Sequence, residues 1–191
     1  MNILIDALPY SIEINGVDYP INADFRTAIQ IMLDFESDEW LPAEKHEMMV
    51  RQLYKEPYPK DFQEAVNHAI AFLNGNTEPD IDGGEEPMRL YSFEKDAGLI
   101  FAAFRQTHGI DLTKENLHWW EFITLFGNMG GDTAFSNLVS LRKRVKEGKA
   151  TKEEIAVARE IGDAFNVDEP ERITLEEQQR HDDFWEAWNN G

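Results

Sequence analysis

The sequence predicts a mainly α protein, a helical domain of about eight helices with a small N-terminal β-hairpin. Three observations predict it. Apolar residues recur at helical spacing in most segments, as in Phe93, Ala97, Ile100, Phe101 and Phe104. Helix-start signals punctuate the chain at Asp24, Pro42, Asp61, Thr151 and Thr174. Only one stretch alternates like a strand pair around a turn, Ser11–Ile14 and Val17–Tyr19 about Asn15-Gly16.

Taken in order, Asn-Gly between alternating apolar residues marks a type I′ hairpin, and Pro20 ends its second strand or lies on an edge. Asn22 or Asp24 caps a helix carrying Phe25, Ala28, Ile29, Met32 and Leu33. Pro42 opens a second to about Tyr54, with Met48, Met49 and Leu53 inside. Asp61 caps a third to about Leu73, with Phe62, Ala65, Val66, Ala69, Ile70 and Leu73 on one face. Residues 74–87 carry five acids, no base and three glycines, the composition of a solvated loop. Asp80, Asp82, Glu85 and Glu86 fail the calcium-loop spacing.

The organising stretch is Phe93–Phe126. Ser92 caps its first helix, and Gly109 sits where a left-handed stop belongs, with Ile110 folding back on Phe104. Thr113 caps its second, across which Leu112 and Leu117 are spaced as a staple. That helix, through Trp119, Trp120, Phe122, Ile123, Leu125 and Phe126, is apolar nearly all round and so is buried or shared with a partner. Gly127–Gly131 makes a turn without the Lys-Ser/Thr of a phosphate loop, and Asp132 caps a helix with Phe135, Leu138, Val139, Leu141 and Val145, ended by Gly148. Thr151 with Glu154, and Thr174 with Glu177, form capping boxes, joined by a linker at Asn166–Glu171. The expected organisation is a core domain over 1–150 and a C-terminal helical extension over 151–191.

Composition excludes several functions. A net charge of −19 argues against nucleic-acid binding and against anionic membranes. No cysteine means no disulfide and no thiol chemistry. The first residues lack a basic segment followed by an apolar run, so no signal peptide is expected, and no apolar run reaches membrane-spanning length. None of the five histidines sits in a catalytic motif, so neither an enzyme nor a cofactor is expected. His118 and Glu121 reverse the order of a di-iron bundle pair without a second copy, which makes them a helix-surface pair and leaves no expected metal.

Two features read as partner surfaces. Arg142, Lys143, Arg144 and Lys146 concentrate positive charge against the rest of the chain. Part of that charge is helix C-terminal chemistry, and part is free to meet an acidic partner or a second copy. Phe184, Trp185 and Trp188 share one face of the last helix and are candidate docking anchors.

The stretches Ile12–Tyr19, Asp24–Arg26, Gly109–Leu112 and Leu117–Phe122 resemble a phage protein family called gene product fifteen, encoded between tail-tube and tape-measure genes. The likeness covers nearly the whole chain and weakens after about Lys149. The family carries no known active site. The resemblance implies a non-enzymatic tail assembly chaperone. It would bind the tape-measure protein, with the tail-tube protein as a further candidate partner, in the bacterial host cytoplasm, and be absent from the mature virion. The alternative from composition is an acidic inhibitor or DNA mimic acting on a host protein.

Overall fold

The computed structural model describes residues 2–37, 40–76 and 88–167. Among them lie one hairpin, seven α-helices and one 3-10 turn. The chain divides into two compact units. The first holds the described residues up to 76 together with Leu117–Trp120, and the second holds 88–116 and 121–167. The helix that follows residue 150 packs within the second unit.

In the first unit, β1 (Ser11–Ile14) pairs antiparallel with β2 (Val17–Pro20), Ile14 opposite Val17. Asn15 and Gly16 both take positive φ, 52° and 78°, as a type I′ turn requires. Three helices follow, α1 (Phe25–Glu36), α2 (Pro42–Leu53) and α3 (Phe62–Leu73). Their starts obey local chemistry: Asp24 accepts from the Arg26 amide, the Glu44 carboxylate from the Leu41 amide, and Asp61 from the Glu64 amide. Helix α2 packs on α1 and on α3, while α3 meets β1. Phe25, Ala28 and Ile31 of α1, Met49, Val50 and Leu53 of α2, and Ala65, Ala69 and Phe72 of α3 are buried. Tyr54, fully buried, donates its hydroxyl to the Ala65 carbonyl, and burial pushes its phenol well above the usual tyrosine range.

A strap from the distant segment Leu117–Trp120 completes this unit. Leu117 accepts from the Phe25 amide, and the Trp119 amide donates to Ala23, so backbone 117–119 lies against 23–25. The Trp119 indole donates to the Leu73 carbonyl at 2.8 Å and the Trp120 indole to the Phe72 carbonyl at 2.7 Å. Both acceptors belong to the last turn of α3, whose carbonyls have no partner inside the helix. Two consecutive indoles therefore join the Asn74, Gly75 and Asn76 amides in closing this helix end while burying their rings, and Trp120 stacks on Phe72 with centroids 5.5 Å apart.

The second unit begins with the turn at 92–96 and α4 (Ala97–His108), ended by Gly109 at φ 70° as expected. Helix α5 (Trp119–Gly127) starts five residues later than the Thr113 cap predicted. Asp111 accepts from both the amide and the hydroxyl of Thr113, closing an isolated turn, and backbone 117–119 is committed to the strap. Helix α6 (Ala134–Lys146) is capped by Thr133 rather than Asp132, and α7 (Lys152–Ile161) by the Thr151–Glu154 capping box. A 3-10 turn, Gly162–Ala164, follows. Helix α6 packs on α4 and α7. Rings connect the core: Phe104 stacks on Phe122 at 4.9 Å, Phe122 on Phe126 at 5.9 Å, and Phe126 meets Phe135 at 5.5 Å.

Replacing Trp120 by Ala is expected to destabilise the protein by about 3–5 kcal/mol, the range for a buried aromatic. Trp120→Phe keeps a ring but removes one of the donors to the Phe72 carbonyl, which retains the Gly75 amide, and should cost about 0.5–1.5 kcal/mol beyond any change in packing. Denaturant titration of both variants checks this. A loss under about 1 kcal/mol for the alanine variant would place the ring outside the core.

Candidate interaction surface

The basic run at the end of α6 is divided by its surroundings. Arg142 was expected on the surface with its neighbours; instead its side chain is 1% exposed. Nη1 and Nη2 meet the two Asp96 oxygens at 2.6 and 2.9 Å. Nη1 also donates to the Leu90 carbonyl, Nη2 to that of Ala164, and Nε to that of Phe165. All five N–H donors of the guanidinium are used. Asp96 accepts in addition from the Ser92 amide. The cause is positional: Arg142 shares its helix stripe with Phe135, Leu138 and Val145, so α6 turns it inward. That register was the sequence signal for it.

The remaining basic residues reach solvent but are engaged. Lys143 and Lys149 both approach Glu147, at 3.9 and 2.8 Å. Arg144 pairs with Glu154 at 2.8 Å. Lys146 donates to the Arg89 carbonyl. The Glu147 carboxyl is held below the usual glutamate range by the Lys149 hydrogen bond and then by the Lys149 and Lys143 charges. The Glu154 carboxyl is held down first by the Thr151 amide and then by Arg144. Phe184, Trp185 and Trp188 lie outside the described residues, as do Asp80, Asp82, Glu85 and Glu86.

His118, expected in a surface pair with Glu121, is buried immediately before α5. Its Nδ1 accepts from the Trp120 amide at 3.0 Å, which leaves Nε2 to carry the proton and donate to the Pro9 carbonyl at 2.8 Å. The ring lies edge-on to Tyr10, Phe72 and Trp120. It caps a helix start and tethers the N-terminal segment, a long-range role that residue spacing does not encode. Among the described residues no cluster of three or more His, Asp or Glu side chains has metal-binding geometry. No helix among them is long and apolar enough to cross a membrane.

Two apolar surfaces remain open. In the first unit, Asn2 organises a turn: its side chain accepts from the Leu4 amide and its carbonyl from the Ile5 and Asp6 amides. The turn leaves Leu4 87% and Ile5 80% exposed, with Tyr10 exposed soon after. In the second unit, a groove of 380 Å³ runs beside α7, floored by Val145, Ile155, Ala158 and Phe165.

The family model described as bacteriophage Gp15 protein matches residues 4–166, most of the chain and both units. No curated protein and no solved structure matches it.

Because the Glu147 and Glu154 carboxyls are depressed in the folded state, the stability they contribute is fully present above the ordinary glutamate pKa of about 4.3. It is lost as pH falls through their lower folded values. Denaturation midpoints measured against pH should therefore fall on acidification below about pH 4.3, and Glu154→Gln should make that fall shallower. An unchanged profile would mean that the Arg144 and Thr151 contacts are not formed in solution.

Proposed function

The chain belongs to the bacteriophage Gp15 protein family, and we propose that it is a tail assembly chaperone that binds the tape-measure protein without turnover. Family membership supplies the phage context. The observation that carries the binding mode is the N-terminal turn, which is held by backbone and Asn2 hydrogen bonds yet presents Leu4 and Ile5 to solvent. Aliphatic side chains fixed in an ordered turn meet an apolar partner helix with little further loss of freedom. A tape-measure protein is a long chain, helical and apolar before the tube forms around it, and an acidic cover keeps such a chain dispersed in the host cytoplasm. The tail-tube protein then displaces the cover.

Co-expression with the tape-measure protein of the same phage genome tests this by co-purification. The parent is expected to hold the partner in solution. Leu4→Asp with Ile5→Asp should weaken binding at least about thirtyfold, the loss of one central anchor of about 2 kcal/mol, with an unchanged melting curve. Failure of the parent to co-purify would refute the chaperone reading. Binding instead to a host nucleic-acid-binding protein would establish the acidic-inhibitor alternative.

A further inference from the structure

The surface of α7 departs from that of an ordinary solvent-facing helix. Ile155, Val157, Ala158 and Ile161 form an apolar arc along it, yet Ala158 alone among the residues of α7 is buried and Val157 is 48% exposed. The helix is well formed, since its capping box is complete and Glu154 ties it to Arg144 of α6. An apolar arc of this width on a stable helix is a face for something else.

Charges beside the arc indicate what that is. Arg159 and Asp163 both line the groove, whose floor is Val145, Ile155, Ala158 and Phe165. From Arg142 to Lys149 every basic side chain has a partner. Arg159 and Asp163 have neither an ion pair nor a side-chain hydrogen bond among the described residues. They are opposite in sign and four residues apart.

We propose that this groove is the interface between two copies of the chain, related by a two-fold axis passing between Arg159 and Asp163. An isologous interface requires one patch to carry its own complement, because each contact occurs twice with the roles exchanged. Here the axis brings Arg159 to the partner's Asp163 and Asp163 to the partner's Arg159, above apolar side chains from both copies. The location also fits the overall charge. Between residues 142 and 163 there are seven basic and five acidic residues, in a chain of net charge −19. Mutual repulsion between two copies is therefore weakest at this surface. Helix α7 is 10 residues, roughly 15 Å long, so the area is small and the dimer is of the weak, reversible class. The inference is independent of the tail-assembly reading.

Sedimentation equilibrium of the full chain across the micromolar range is the test. The parent is expected to show a reversible monomer–dimer equilibrium. Arg159→Asp alone and Asp163→Arg alone should each weaken it at least about tenfold, because both reciprocal contacts become like-charged. Mixed in equal amounts, the two variants should pair with each other, because each then faces the opposite charge at both contacts. Circular dichroism melts of the variants should match the parent, since neither residue is buried and neither is paired among the described residues. A parent that stays monomeric, variants that dimerise as well as the parent, or a mixture that does not restore pairing would each overturn the proposal.

Discussion

The second unit depends on a single buried guanidinium. Removing Arg142 from water is unfavourable unless every donor finds an acceptor. Five acceptor contacts are supplied from four directions: Asp96 at the start of α4, Leu90 before it, and Ala164 and Phe165 after α7. The pairing fixes the start of α4 against α6 and brings the chain after α7 back beside α6. Its consequence for function is subtraction. The residue that headed the basic run is structural, and its neighbours are largely neutralised by Glu147 and Glu154. Charge that looked available in the sequence is spent inside the fold.

The first unit rests on a parallel principle carried by different atoms. A helix ends with carbonyls that need donors, and α3 receives them from two indoles more than forty residues away in the chain. His118 extends the same strap by capping α5 and holding Pro9. In both units, side chains that a linear reading assigns to apolar packing or to the surface act as donors to distant backbone. What they leave free is apolar: the N-terminal turn in one unit and the α7 groove in the other.

The division between what was legible in the sequence and what was not follows from range. The Asn15-Gly16 hairpin, the caps at Asp24, Asp61 and Thr151, and the Gly109 stop are decided within about four residues, and each appears where the sequence puts it. The second helix of the central stretch was placed too early because Thr113 has the chemistry of a cap. The side chain of Asp111 and the pairing of 117–119 with 23–25 compete for the same backbone. Arg142 and His118 were misplaced because their acceptors are carbonyls as far as 52 and 109 residues away. Even so, the apolar register of α6 already marked Arg142 as inward. At the candidate surfaces, the aliphatic N-terminal start was visible as composition, while its exposure and the lack of a partner for Arg159 and Asp163 among the described residues are three-dimensional facts.

The claim that a satisfied guanidinium organises the second unit is tested most directly by the Arg142 Nε–H resonance in a nitrogen-resolved nuclear magnetic resonance spectrum at neutral pH. An exposed arginine exchanges this proton too fast for a persistent signal. Arg142, donating from Nε to the Phe165 carbonyl and closed from solvent, is predicted to give a slowly exchanging resonance that disappears in Asp96→Asn. A resonance exchanging as fast as that of the exposed Arg159 in the parent would contradict the account.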